Sequence, residues 1–110
     1  MNLPDKKIVD FILKHHVLTL STSDCEASWC CSCFYVYLKE KNILAFSSEK
    51  NTKHIRQASA NQKVSGTIVL ETSIIGKIQG IQFSGIIREA ETEMLAEVRR
   101  EYLKRFPYAI

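Results

Sequence analysis

Apolar and polar positions alternate along "VLTLSTS" (17–23), and β-branched residues crowd it, which predicts a strand with one buried face. "WCCSCFYVYL" (29–38) predicts a second strand, rich in aromatics. The polar turn "KEKN" (39–42) follows, and "ILAFSS" (43–48) closes a hairpin as the third strand. "KVSGTIVLE" (63–71) is the fourth, and a longer one spans roughly 77–89, where Gly80 and Gly85 mark bulges or close backbone approach. Three segments carry helical spacing instead. In "LPDKKIVDFILKHH" (3–16), Ile8, Val9, Phe11 and Ile12 form the apolar stripe, with Pro4 in the first turn and Asp5 at the N-terminus. "NTKHIRQASANQ" begins a helix capped by Asn51, with Ile55 and Ala58 facing the core. "TEMLAEVRREYLKRF" (92–106) is the last, capped by Thr92 and stopped by Pro107; Met94, Leu95, Val98 and Tyr102 share a face.

The order is therefore α-β-β-β-α-β-β-α. Most links are too short for βαβ crossovers, so the sheet is expected to be mainly antiparallel and, at this size, to curl into a small barrel. The 110 residues read as one domain over 1–110, with no repeat, low-complexity segment or linker. A net charge of +3 is too weak to imply a nucleic-acid partner, and none is expected. No apolar run approaches the ~18 residues of a membrane span. The N-terminus lacks the apolar core of a signal peptide, so a cytoplasmic location is expected, with the four cysteines as free thiols.

Candidate chemistry starts with Cys30 and Cys33, a formal C-x-x-C. In a strand, neighbours alternate faces. Cys31, Cys33, Tyr35 and Tyr37 then share one face, while Cys30, Ser32, Phe34 and Val36 share the other. Cys30 and Cys33 point apart and cannot hold one ion, and Cys25, His15, His16 and His54 lack matching spacing, so no metal site is expected. "FSSEKNTKHIRQ" (46–57) is a second candidate. A strand ends in two hydroxyls, and Lys50, Lys53, His54 and Arg56 crowd the start of the next helix. Cations there oppose the helix dipole unless an anion is present, and a helix N-terminus with hydroxyls and lysine makes a phosphate site; the alternative is a solvated basic first turn. Gln79 and Gln82 lie on a strand where Gly80 permits close approach of a ligand, though such glutamines are commonly solvent-facing. No Ser/His/Asp spacing, H-E-x-x-H motif or carboxylate pair is present.

The segments "KHHVLTLST", "WCCSCFYVY", "FSSEKNTKHIRQ", "IQGIQFSGIIRE" and "YLKRFP", in that order, resemble the FMN-binding split-barrel superfamily typified by pyridoxamine 5′-phosphate oxidase. Within it, the chain is most similar to the small YhbP-like branch. The resemblance implies a split β-barrel that dimerises with FMN between subunits. It implies phosphate contacts from Ser47, Ser48, Thr52 and Lys53, with His54 in reach. It lays the flavin ring against Ser32, Cys33 and Phe34, extending to Tyr35, and brings Gln79 and Gln82 from the other side. The family's final strand has no counterpart in the sequence, and the oxidase's arginine-rich strand is absent from "CFYVYLKEK". The expected function is an FMN-binding flavoprotein, with an oxidoreductase or flavin reductase activity left open. The competing expectation is a non-catalytic dimeric module that holds haem, F420 or no ligand.

Overall fold

The computed structural model describes residues 3–108. Its elements are α1 (Lys6–Lys14), β1 (Val17–Ser23), β2 (Ser28–Phe34), β3 (Val36–Leu38), β4 (Ile43–Ala45), α2 (Lys53–Ala60), β5 (Lys63–Leu70), β6 (Gln79–Ile86) and α3 (Thr92–Arg105). A short 3-10 turn, Ile75–Lys77, precedes β6. One sheet runs in the order β2-β1-β5-β6 and the other pairs β3 with β4; every pairing is antiparallel. The architecture is mainly antiparallel with flanking helices, as the pattern predicts, and its two sheets match the split barrel that the resemblance implies. None of the described helices is long and apolar enough to cross a membrane.

Alternation along β1 decides which side becomes the core. Leu18, Leu20 and Thr22 are buried, while Thr19, Ser21 and Ser23 turn to the other side. Leu18 and Leu20 join Ile12, Tyr35, Tyr37 and Ile68 in the central cluster. Partners in an antiparallel register share a face, so the outward side of the sheet is also defined. Ser32, Thr19, Thr67 and Gln82 form one row across the four strands, and Cys30, Ser21, Ser65 and Ser84 form the next. An open depression of about 510 Å³ lies over these rows.

The expected second strand is broken. The chain leaves the first sheet at Phe34 and enters the second at Val36, so 29–38 serves two sheets rather than one. Tyr35 is the pivot. Its N–H donates to the His16 carbonyl and its hydroxyl donates to the Ile12 carbonyl at 2.6 Å, and the residue is wholly buried. Its two hydrogen-bond donors are thus satisfied without a ladder partner. Burial also pushes the Tyr35 hydroxyl pKa up to about 12. The guanidinium of Arg105 covers the Tyr35 ring and donates to the His15 carbonyl, which ties α3 to the end of α1. The β3–β4 hairpin forms as expected, and Asn42 at its turn adopts a left-handed φ of 53° while accepting from the Tyr37 hydroxyl.

Other boundaries shift. β4 ends at Ala45, leaving "FSS" outside the ladder, and β6 covers 79–86. Glu91 rather than Thr92 occupies the cap position of α3, and Thr52 rather than Asn51 that of α2; neither side chain caps its helix. No bulge interrupts β6, because its register with β5 runs unbroken from Lys63↔Ile86 to Leu70↔Gln79. Gly80 does meet close backbone: a Cβ there would lie 3.1 Å from the Ile68 carbonyl oxygen.

The tightest glycine is Gly66. A Cβ there would stand 2.3 Å from the Thr19 carbonyl oxygen and 2.4 Å from the Phe83 ring, whereas one at Gly85 would meet nothing within 4 Å. Gly66→Ala is therefore expected to cost about 2–3 kcal/mol, at the upper end of overpacking. Gly85→Ala should stay within about 0.5 kcal/mol. Urea midpoints of the two variants check this, and equal midpoints would contradict the packing of Phe83 over Gly66.

Candidate functional site

The site is built where the loop after β4 delivers α2 across the inner face of β2. The attachment is polar and buried. Thr22 donates its hydroxyl to Gln57 Oε1 at 2.7 Å, and both residues are almost fully enclosed. The amide nitrogen of Gln57 points toward Asp24 and the Ala27 carbonyl, each at 3.4 Å. Asp24 is itself held by the N–H groups of Glu26 and Ala27, both at 2.8 Å, which keep its carboxyl pKa below the usual carboxylate range. The turn between β1 and β2 and the middle of α2 are thus locked together.

This lock sets the first turn of α2 over Trp29, Cys31 and Cys33. The Lys53 ammonium sits 4.3 Å from the centre of the Trp29 ring, a cation–π contact. His54 Nε2 lies 2.6 Å from Ser48 Oγ and 3.4 Å from Thr52 Oγ1. Thr52 Oγ1 donates to the Glu49 carbonyl at 2.9 Å, so it does not cap the helix. The first hydrogen bond of α2 is Arg56 N–H to the Thr52 carbonyl. The N–H groups of Lys53, His54 and Ile55 consequently face outward without helical partners. Hydroxyl, imidazole and free N–H donors therefore meet at a helix N-terminus, the chemistry that an anion requires.

The expected site residues do not all gather there. Ser48, Thr52 and His54 do, and Lys53 stands beside them over Trp29. Ser47 is exposed next to Ser48. Cys33 shares the inner side of β2, half-buried against the core. Ser32 lies on the outward face with Gln82, two strands away in the same row, and exposed Phe34 is on that side too, against Phe106 at 5.3 Å. Gln79 and Gln82 are three residues apart on one strand, so they point to opposite faces rather than acting together. Tyr35 is sealed in the core and offers a ligand no surface.

Strand alternation already puts Cys31 and Cys33 on one face, but sequence spacing does not bring His54 to them. The Sγ atoms of Cys31 and Cys33 are 3.7 Å apart, and a ring nitrogen of His54 converges on them. Trp29 is on that face too, and nothing in its sequence neighbourhood signals its contact with Lys53. All four cysteines are free. Burial pushes the Cys33 thiol pKa up to about 12, with Cys31 beside it adding to the effect, and burial raises that of Cys31 as well.

No family model matches the chain. Curated relatives do. It is 38% identical over 111 residues to UPF0306 protein YE0465 of Yersinia enterocolitica, covering 99% of this chain and 76% of that protein. It is 36% identical over 100 residues to UPF0306 protein plu4501 of Photorhabdus laumondii, covering 91% and 70%. The chain belongs to the UPF0306 family. Among solved structures, it is similar to HutZ, the haem storage protein of Vibrio cholerae, with a TM-score of 0.77, 19% identity and coverage of 96% and 77%. The conserved hypothetical protein Rv2991 of Mycobacterium tuberculosis gives 0.81 at 16% identity, covering 96% and 66%. A FAD-binding protein of Mesorhizobium loti gives 0.69 at 18% identity, covering 94% and 75%. At these identities the likeness is one of fold.

Two expectations follow. Gln57→Leu and Thr22→Val each leave a buried polar partner unsatisfied and should cost about 1–3 kcal/mol, while the double variant should cost clearly less than the sum. Additive costs in urea unfolding would show that the two side chains are not coupled. Alkylation at neutral pH should label the exposed Cys25 and Cys30 well before Cys33, because the thiolate is the nucleophile. Peptide mapping over time reads the order, and Cys33 labelling first would overturn it.

Proposed function

We propose that this UPF0306 protein binds a phosphorylated flavin, FMN first, and works as a flavoprotein of the pyridoxamine-phosphate-oxidase-like superfamily. The observation that carries this reading is the meeting of Ser48 Oγ, His54 Nε2 and the uncapped N–H groups at the start of α2. That donor set fits a phosphate dianion: the N–H groups and the hydroxyl donate, the helix dipole favours negative charge, and Lys53 can turn from Trp29 to add a charge-assisted contact. The likeness of fold to a FAD-binding protein supports the choice of a flavin. When bound, the flavin supplies the redox chemistry, and the protein positions it and excludes competing reactions.

The donors at α2 and the rows with Ser32 and Gln82 stand on opposite sides of one sheet. We therefore propose a homodimer, in which the phosphate cluster of one subunit and the outward face of its partner would meet on the same flavin. A haem ligand is the second reading, favoured by the likeness to the haem storage protein HutZ.

Added FMN should raise the melting temperature and quench Trp29, the only tryptophan in the chain. Lys53→Ala should weaken FMN about tenfold or more, the loss of one charge-assisted contact of about 1.5 kcal/mol, and leave riboflavin nearly unchanged. Equal losses for the two flavins would sink the phosphate assignment. No thermal shift with FMN, together with a Soret band on adding haemin, would replace the flavin reading by the haem one.

A further inference from the structure

Cys31 and Cys33 are two positions apart on β2, so their side chains leave the same face of the strand. Their Sγ atoms lie 3.7 Å from one another. Two thiolates bound tetrahedrally to one zinc ion at about 2.3 Å stand about 3.8 Å apart. The third group comes from a different element. His54 lies in the first turn of α2, and one of its ring nitrogens and both sulfurs all fall within 4.8 Å of one another. Among the described residues, no other group of histidine, cysteine and carboxylate side chains converges in this way. The three residues are half-buried, enough to limit water and open enough for an ion to enter.

We infer that Cys31, Cys33 and His54 form a zinc site, with two sulfur ligands, one nitrogen ligand and a fourth position left for water or a substrate atom. Mixed thiolate and imidazole ligation suits zinc, and three protein ligands mark a site that keeps an exchangeable position rather than a closed structural one. The Ser48 hydroxyl, 2.6 Å from His54 Nε2, would stand as the outer partner of a histidine that holds the ion through its other ring nitrogen. Binding replaces the two S–H protons by the metal and releases both to solvent, with no change of oxidation state. The pair differs from the formal C-x-x-C: Cys30 pairs with Ser21 on the outward face.

This site goes beyond the flavin reading but shares His54 with it, so the test uses reduced protein and metal alone. Zinc titration with a chromophoric competitor should give one ion per chain. Cobalt(II) should give the visible bands of a tetrahedral ion and a thiolate charge-transfer band in the near ultraviolet. Cys25→Ser/Cys30→Ser replaces only exposed cysteines and should keep both results. Cys33→Ser and His54→Ala should each weaken zinc by more than the roughly 100-fold that loss of an outer partner can cost. Failure of the Cys25→Ser/Cys30→Ser variant to bind, or binding by the wild type with no thiolate band, overturns the site whatever the other variants do. Flavin binding read separately on the same preparations keeps the two conclusions apart.

Discussion

One buried hydrogen bond, from Thr22 to Gln57, decides where the chemistry of this chain can be. It joins the core face of β1 to the middle of α2 across 35 positions of sequence. A short helix with a polar first turn has little apolar surface of its own with which to dock; of its eight residues only Gln57 and Ala58 are buried. An unmet polar group in that seam costs more than a met one contributes, which makes the pairing specific as well as stabilising. With Gln57 seated, the N-terminus of α2 has one place to go, over Trp29, Cys31 and Cys33.

A second constraint works just past the other end of β2. Tyr35 lets a strand-like segment belong to two sheets, because its backbone and hydroxyl find partners on and just after α1. Arg105 then closes α3 over the same ring. The split between the sheets, on which the barrel depends, is thus a matter of one buried aromatic with both of its donors answered. Two of the three helices, α1 and α3, meet at this pivot, whereas α2 is seated on β1.

What could be read from the sequence follows from how local each determinant is. Alternation in 17–23 and 63–70 is a local signal, and both strands stand where the pattern puts them to within a residue. The break at Tyr35 has no local signal: β-branched and aromatic residues run straight through it, and only the carbonyls of Ile12 and His16 make it a break. The hydroxyl–imidazole cluster was legible because Ser48, Thr52 and His54 are near neighbours in the chain. The meeting of His54 with Cys31 and Cys33 was not, since more than twenty residues and a change of sheet separate them. The Cys30/Cys33 pair drew attention by its spacing, yet strand alternation parts it and joins Cys31 to Cys33 instead.

The outward rows of the sheet have a further consequence. Serine, threonine, cysteine and one glutamine make up Ser32-Thr19-Thr67-Gln82 and Cys30-Ser21-Ser65-Ser84. Gln82 apart, these side chains are short and have few rotamers to surrender, whereas lysine, arginine or glutamate would give up about 1.5–2 kcal/mol each on being covered. Whatever lies on this face therefore meets a surface that is already almost as ordered as it can become. Little of the attraction is spent on freezing it, and its hydroxyls can turn to match the donors and acceptors of the incoming group without moving the backbone beneath them.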